Sequence, residues 1–293
     1  MASVSLSGNW LLFKTRHSRL KQQVAAGFRH PGRRTDELAA DKFAAPERVQ
    51  ITELPNGRLV TLVTQEAASK HIILLHGGAY ALRATESHRE WMKLLSADTG
   101  ANVTAIDFPL TPEYTARDTV SFTVKAYQKL RDQFPLDDYY LLGDSAGGGL
   151  ALVLLQTLRD QKLPMPTGTL LVSPWSDLAM TEPSFEAGAD ADPELSLPVL
   201  REVAKKYAGK LALTDPLVSP INANLDHLGK IGLFYGTKEV LLPEHHALAQ
   251  KLVAADGTDV DIHEFKNMMH DYLLWPNLPE SHRTFTYLQD MMN

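Results

Sequence analysis

The chain alternates short apolar segments with amphipathic helical periods over most of its length, and this alternation restricts its fold more than any other feature. The apolar segments are too short for helices and are bounded by turn residues, which is typical of buried strands. Strands are predicted at residues 72–75, 103–106, 139–142, 169–172, 231–235 and 260–265, and helices at 86–97, 116–133, 146–159, 243–255 and within 279–292. A strand–helix–strand order produces right-handed crossovers and a mostly parallel sheet with helices on both faces. The chain is therefore predicted to be an α/β protein.

Two segments depart from this alternation and predict how the chain is divided. The first 45 residues are polar and mixed, with one helix predicted at 10–26, whereas residues 177–228 are rich in Pro, Asp and Ala and carry no strand signal. An insertion of that length is more often functional than filler. A hairpin is predicted around Pro55-Asn56-Gly57, because Asn-Gly supplies the positive φ of a tight turn. The predicted division is an N-terminal segment at 1–45, a core formed by 46–176 and 229–293, and an insertion at 177–228.

Composition indicates an ordinary folded protein and excludes several classes. Of 293 residues, 44% are hydrophobic and 22% are charged, which excludes a disordered or low-complexity chain. We interpret the formal charge of −6 as spread along the chain without a basic block, so neither nucleic acid nor a membrane is expected as a partner. The chain contains no cysteine, which excludes disulfides and zinc–thiolate sites. No window approaches a membrane-spanning apolar run, and a cytoplasmic location is predicted.

The strongest local motif is Gly143-Asp144-Ser145-Ala146-Gly147, a G-x-S-x-G located where a predicted strand passes into a predicted helix. Small residues at such a turn let the backbone bend sharply and present the serine hydroxyl above the sheet. The following helix N-terminus carries a partial positive charge that favours an oxyanion. The pentapeptide alone is equally compatible with a glycine-rich helix start capped by serine. Its context favours a nucleophile at Ser145.

A second motif, His76-Gly77-Gly78-Ala79, follows the predicted strand at 72–75. Two glycines allow backbone N–H groups to approach a reacting carbonyl closely, and such donors stabilise the oxyanion that develops on it. As an isolated tripeptide, His-Gly-Gly is more often an ordinary loop. Together the two motifs indicate acyl-transfer chemistry.

These motifs and three further stretches resemble the hormone-sensitive-lipase-like branch of the α/β-hydrolases, a family of bacterial esterases with an HGG motif. The matches follow the family's order from about residue 50 onward, and they imply the α/β-hydrolase fold with a helical cap. One departure is Ala79, where the family usually has a third glycine; alanine keeps the N–H group but adds a methyl group near the oxyanion site. The further stretches are residues 107–113, which resemble DYRLAPE, residues 173–177, which resemble SPW-[ST]-D, and residues 215–220, which resemble DP..SP.

The resemblance also implies the partners of Ser145. In this fold the catalytic carboxylate and histidine follow the serine in the sequence. Residues 236–242 resemble the family's G-x-x-[DE]-x-L segment, which implies Glu239 as the acid, with Glu244 and Asp256 as alternative carboxylates. Residues 267–272 resemble the stretch that holds the family's base, which implies His270.

The implied mechanism requires neither a cofactor nor a metal. His270 takes the proton of Ser145, Glu239 orients the imidazole, and an acyl-enzyme forms and is hydrolysed. The N–H groups predicted to bind the oxyanion are those of Gly77, Gly78, Ala79 and Ala146.

The adjacent pair His245-His246 offers an alternative metal site. Neighbouring histidines on a helix point apart, and no H-E-x-x-H pattern accompanies them. Both side chains are therefore predicted to lie at the solvated surface.

The insertion and the first 45 residues together resemble the family's helical cap. The apolar residues of the insertion either line an acyl or alcohol pocket or anchor the cap to the core: Phe185, Leu195, Leu197 and Leu200.

The predicted activity is hydrolysis of short-acyl carboxylic esters, with a small-molecule ester as substrate. One alternative is an amide, peptide or arylformamide hydrolase, because the same catalytic groups act on amides. Another is a ligand receptor on this fold, since the gibberellin receptors resemble the family but lack the catalytic histidine. The physiological ester and the oligomeric state, including a homo-oligomer, stay open.

Overall fold

The alternating pattern folds into one mostly parallel sheet, as predicted. The structure, a computed structural model, describes residues 2–32, 35–64 and 68–293. In this part of the chain nine strands pair in the order β1-β9-β8-β7-β6-β4-β5-β3-β2, and only the β2–β3 and β3–β5 pairs are antiparallel. The strands are β1 (Ala2–Ser3), β2 (Val49–Leu54), β3 (Gly57–Leu62), β4 (Lys70–Leu75), β5 (Asn102–Asp107), β6 (Asp138–Asp144), β7 (Gly168–Val172), β8 (Gly229–Lys238) and β9 (Thr258–Met269).

Helices cover both faces of this sheet. They are α1 (Leu6–Arg16), α2 (Leu20–Arg29), α3 (Glu86–Thr99), α4 (Ala116–Gln133), α5 (Ala146–Asp160), α6 (Pro183–Ala189), α7 (Leu197–Ala208), α8 (Leu242–Val253) and α9 (Pro279–Met292). Successive residues of a strand point to opposite faces, so Ile73 and Leu75 pack in one core with α4, α5, α7 and α8. Ile72 and Leu74 pack in a second core with α1, α3 and α9. Among the helices of the described residues, none has the length and apolar character needed to cross a membrane.

The predicted hairpin is present, and the positive φ of its turn is at Asn56. β2 and β3 pair with Leu54 opposite Gly57, and Asn56 has a positive φ of 73°. Proline followed by a residue of positive φ is typical of a type II turn. Gly57 is required for another reason, because a Cβ there would meet the ring of Phe122 and the carbonyl oxygen of Asp107.

The single helix predicted at 10–26 is wrong, because the structure contains α1 and α2 with a break at residues 17–19. α1 begins earlier than predicted, where the Ser5 hydroxyl accepts the N–H of Gly8 at 3.0 Å. Beyond its end, the Ser18 hydroxyl donates to the Thr15 carbonyl at 2.8 Å and accepts the N–H of Leu20 at 3.1 Å. Hydroxyl groups that bond to nearby backbone compete with a continuous helix.

The insertion at 177–228 contains α6 and α7 and packs against the N-terminal helices. The Lys21 ammonium donates to the Ala189 carbonyl at 2.7 Å, and Arg29 on α2 pairs with Glu202 on α7 at 2.7 Å. The division into segments 1–45, 46–176 with 229–293, and 177–228 stays a prediction. Residues 1, 33, 34 and 65–67 of that division lie outside the described residues.

Candidate active site

Ser145 lies at the sharp turn between β6 and α5. Its φ of 49° and ψ of −119° are values that residues with side chains seldom adopt. A Cβ at Gly147 would run into the carbonyl group of Leu75, and a Cβ at Gly143 into the carbonyl group of Gly147. The Ser145 N–H donates to the Val172 carbonyl at 2.9 Å. The glycines of the predicted G-x-S-x-G motif therefore make the turn possible, and the turn holds the hydroxyl at one edge of the sheet.

Glu239 and His270 reach the same edge because each directly follows a strand. β8 ends at Lys238 and β9 ends at Met269, and these two residues are paired in neighbouring strands. Since β6, β8 and β9 all run in the same direction, their carboxyl ends lie at one edge. The sheet therefore brings together three residues that are far apart in the sequence.

Hydrogen bonds join these three side chains. Ser145 Oγ lies 3.0 Å from His270 Nε2, and His270 Nδ1 lies 2.9 Å from Glu239 Oε2. All three residues are more than nine-tenths buried. An imidazole held between a hydroxyl and a carboxylate can accept the hydroxyl proton at one nitrogen while the other remains hydrogen-bonded.

The second oxygen of Glu239 is also occupied. Oε1 accepts the Ser173 hydroxyl at 2.7 Å and the Gly236 N–H at 2.6 Å. The Ser173 oxygen in turn accepts the N–H of Asp271 at 3.2 Å. Ser173 thus links the carboxylate to the residue after His270. No motif predicted a role for Ser173, although it begins the stretch 173–177 that resembles SPW-[ST]-D.

The hydrogen bond between Glu239 and His270 controls the pKa of both groups. Burial acts to raise the pKa of Glu239, but His245 and the hydrogen bond from His270 outweigh it, and the pKa is lowered. Burial acts to lower the pKa of His270, but the hydrogen bond and the charge of Glu239 outweigh it, and the pKa is raised. The charged forms of the two groups stabilise each other.

The structure brings neither alternative carboxylate to His270. Glu244 is buried on α8, where Oε1 accepts the N–H of Ser176 at 2.6 Å. Its pKa is raised well above the ordinary value by burial. Asp256 is exposed in the loop between α8 and β9. Of the three candidate acids, Glu239 alone is bonded to the histidine.

The prediction that His245 and His246 both lie at the surface is wrong for His245. His245 is fully buried, its Nε2 lies 3.2 Å from the Pro174 carbonyl oxygen, and burial lowers its pKa to about 4. His246 is half exposed and pairs with Glu264 at 2.8 Å. The two rings point apart as expected, but one side of α8 faces the core. No cluster of three or more potential metal ligands occurs in the described ranges.

The turn after β4 contains the glycines predicted to stabilise an oxyanion. The N–H of Gly77 donates to Asp144 Oδ2 at 2.9 Å, so this group is already paired. Gly78 has a φ of 105° and Ala79 a φ of 53°. The N–H groups of Gly78, Ala79 and Ala146 form no hydrogen bond with any described residue. Three of the four predicted donors are therefore free to bind an oxyanion. The fourth, the N–H of Gly77, instead joins the turn after β4 to Asp144, the residue before Ser145.

A cavity of about 450 Å³ lies over Ser145 and His270. Leu20, Val24 and Phe28 of α2 form part of its wall. The sequence predicted a cap from this segment but did not identify these side chains, because the helix pattern does not show which face meets the site.

Of the four apolar residues considered for the pocket, only Leu195 lines this cavity. Phe185, Leu197 and Leu200 are buried in the first hydrophobic core. Their position agrees with the alternative that such residues anchor the insertion.

Four buried carboxyl groups interact with His270 or lie beside it without having been predicted as part of the site: Asp144, Asp192, Glu194 and Asp271. Glu194 lines the cavity, and its Oε2 has no hydrogen-bond partner among the described residues. Burial raises the pKa of Asp144 to about 6 and that of Glu194 to about 8, and it raises the pKa of Asp271 well above the ordinary value. A pKa of about 8 leaves Glu194 mostly uncharged at neutral pH. No motif singled out Glu194, whereas Asp144 and Asp271 flank predicted site residues.

The chain is similar to a large family and to curated bacterial enzymes. A family described as alpha/beta hydrolase fold matches residues 72–274. An acetyl-hydrolase from Streptomyces hygroscopicus is 36% identical over 214 residues, which cover 72% of this chain and 71% of that protein. An esterase from Acinetobacter venetianus is 34% identical over 201 residues, covering 68% of this chain and 65% of that protein.

Solved structures resemble the whole chain. EstE5 soaked by ethyl alcohol superimposes with a TM-score of 0.81 at 27% identity, covering 98% of both chains. An esterase from the bacterial hormone-sensitive lipase family gives a TM-score of 0.76 at 27% identity, covering 94% of this chain and 99% of the other.

Proposed function

The chain belongs to the α/β-hydrolase family, in its branch of hormone-sensitive-lipase-like bacterial esterases, and is a carboxylic ester hydrolase; we propose that Ser145, His270 and Glu239 are its catalytic triad. The observation that carries the proposal is the pair of hydrogen bonds, 3.0 Å and 2.9 Å long, that join the three side chains.

In the proposed mechanism, Ser145 Oγ attacks the ester carbonyl while His270 Nε2 takes its proton. Glu239 keeps the proton on Nδ1 of His270 and stabilises the imidazolium that forms. His270 then protonates the departing alcohol, which leaves the acyl group on Ser145. A water molecule activated by the same histidine attacks this acyl-enzyme and releases the acid. All bonds are made and broken without a cofactor.

The oxyanion of each tetrahedral intermediate is proposed to accept the N–H groups of Ala146, Gly78 and Ala79. These groups support the proposal because they lie next to Ser145 in sequence or in the adjoining turn and have no partner among the described residues. Preorganised donors of this kind are each worth about 3 to 4 kcal/mol in the transition state. Gly77 is left out of the proposal because Asp144 already binds its N–H.

We further propose that segments 1–45 and 177–228 form a cap over the site. The contacts of Lys21 and Arg29 with the insertion support this, as does the wall that α2 gives the cavity. A small-molecule ester would enter beneath this cap. The cytoplasmic location and the oligomeric state stay predictions.

The main alternative is hydrolysis of an amide. An ester and its matched amide, with the same acyl group, should be compared under identical conditions. A higher kcat/KM for the amide would assign the chain to that alternative, and binding without any turnover would favour the receptor.

Substrate size provides one prediction. Each additional buried methylene gains at most about 0.8 kcal/mol, and a cavity of limited size loses that gain to overpacking, or leaves the extra methylenes in water, once the acyl chain exceeds it. We expect acetyl to butyryl esters to have the highest kcat/KM, with a decline by about eight carbons, as the cavity of about 450 Å³ is walled by side chains of α2 and the insertion. Measuring kcat/KM for p-nitrophenyl esters from acetate to palmitate in solution checks this. A maximum at long chains would contradict it.

The pH dependence of kcat/KM provides a second prediction. The neutral imidazole is the form that accepts the serine proton, so activity must fall as His270 is protonated. Because Glu239 raises the pKa of His270, we expect the acidic midpoint of kcat/KM to lie above 6.5, the ordinary value for histidine. In Glu239→Gln the negative charge that raises the pKa of His270 is lost, while the burial that lowers this pKa remains. The acidic midpoint of kcat/KM should therefore move to lower pH. A wild-type midpoint below 6.5, or no movement in the variant, would contradict this assignment.

A further inference from the structure

α1 presents a row of large apolar side chains to solvent. Leu6 is 89% exposed, and Trp10 and Phe13 are each 62% exposed. Their spacing of four and then three residues places them on one face of the helix. Single exposed apolar residues are common on protein surfaces, but three on one short helix form a patch. We call Leu6, Trp10 and Phe13 the α1 patch.

The helix that carries the patch is held firmly by its other face. Leu11 and Leu12 are buried in the second hydrophobic core with residues of β9 and α9. The backbone N–H of Ser5, just before the helix, donates to Glu280 on α9 at 2.6 Å. The patch is therefore a fixed outer face of a docked helix and is not the product of a frayed end.

The charge around the patch is opposite to that of the whole protein. The first 35 residues contain seven Lys and Arg and no Asp or Glu, while the remaining 22 Lys and Arg are outnumbered by all 35 Asp and Glu. This distribution corrects the interpretation that the chain has no basic block. Lys14, Arg16 and Arg19 are exposed beside the patch, and none of the ion pairs formed by described residues includes them. The Lys14 ammonium lies 5.2 Å from the centre of the Trp10 ring.

We propose that the α1 patch docks onto an anionic lipid surface. An exposed helix face that carries Trp and Phe, with Lys and Arg at its margins, can lie in the plane of a bilayer, with the apolar side chains among the acyl chains and the basic groups at the phosphates. A second copy of this chain fits less well as the occupant. A two-fold contact through this face would bring two basic segments together.

Docking would also bring one wall of the cavity near the lipid. α1 leads through residues 17–19 directly into α2, whose Leu20, Val24 and Phe28 form part of the cavity wall. The docking itself does not depend on the proposed triad, so the two proposals can fail separately.

The first experiment measures sedimentation with phosphatidylcholine vesicles that contain either no anionic lipid or about a third phosphatidylglycerol. We expect binding to the anionic vesicles only, weakened by salt. Trp10→Ser with Phe13→Ser should reduce the affinity by about tenfold or more, and Lys14→Gln with Arg19→Gln by about fivefold for each charge removed. Leu136→Ser is the matched control, because Leu136 is 91% exposed but lies in the loop after α4. It should bind like the wild type.

Tryptophan emission gives an independent measurement. Trp10 is 62% exposed, Trp91 and Trp175 are buried, and Trp275 is partly buried in the cavity wall. A blue shift on adding anionic vesicles should therefore arise mainly from Trp10 and should be lost in Trp10→Phe, which keeps the other three tryptophans. All variants should hydrolyse a soluble short ester at the wild-type rate, which shows that they are folded. Equal binding to neutral and anionic vesicles, or full binding by the double Ser variant, would overturn the proposal. So would a change from dimer to monomer in that variant, which would assign the patch to a second copy.

Discussion

Replacing Ser145 with alanine is expected to lower kcat for ester hydrolysis by about 10⁴-fold or more, because the atom that forms the acyl-enzyme is removed. The unfolding free energy should change by about 1 kcal/mol or less. Alanine can keep the same backbone conformation as serine, and the variant loses a single hydrogen bond, the 3.0 Å contact with His270. Steady-state kinetics and denaturant unfolding of the same preparation measure both quantities.

The matched control is Ser121→Ala, which removes an exposed hydroxyl on α4 away from the cavity. This variant should keep wild-type kcat. A covalent serine-directed probe such as a fluorophosphonate should label the wild type and the control at one site and should not label Ser145→Ala. Substantial turnover by Ser145→Ala, or a label on another residue, would show that the nucleophile lies elsewhere.

The fold could be predicted because each element carries its own periodic pattern. α4 matches its predicted range of 116–133, since Thr115 and Asp118 form a capping box that marks its start in the sequence. β9 runs four residues past its predicted end at 265, because its continuation pairs with the irregular end of β8. That pairing is a tertiary contact. Residues 266 and 267 are polar, and their local pattern does not predict that the strand continues.

The site residues also fall into two groups: those that local sequence predicts and those that depend on contacts between distant segments. Ser145 could be identified from local residues, because the glycines that bend its turn are neighbours in the sequence. Glu239 and His270 were predicted only from the resemblance to a known family. Their side chains are close together because two adjacent strands, β8 and β9, end at the same edge of the sheet. The pairing of the Gly77 N–H with Asp144 and the burial of His245 depend on packing between distant segments. Periodicity and motif spacing contain no information on those contacts.

Replacing Glu239 with glutamine should lower kcat by about 10⁴-fold, although the two side chains have the same shape. Glu239 Oε1 already accepts the Ser173 hydroxyl and the Gly236 N–H, so the amide oxygen must take that place. The amide nitrogen, a donor, then faces His270 Nδ1. This fixes the tautomer that carries its proton on Nε2, where it points at Ser145 and cannot accept the serine proton.

Glu244→Gln is the matched control, because it makes the same substitution in a buried carboxyl group of the same region. Its Oε1 can continue to accept the Ser176 N–H as an amide oxygen. Burial raises the pKa of Glu244 well above the ordinary value, whereas the pKa of Glu239 is lowered, so the substitution removes less charge at Glu244 than at Glu239. We expect kcat to change by about threefold or less, which corresponds to about 0.6 kcal/mol in the barrier. Measuring kcat and KM for both variants with one short ester decides the question: a larger loss in Glu244→Gln than in Glu239→Gln would mean that Glu239 is not the acid that orients the histidine.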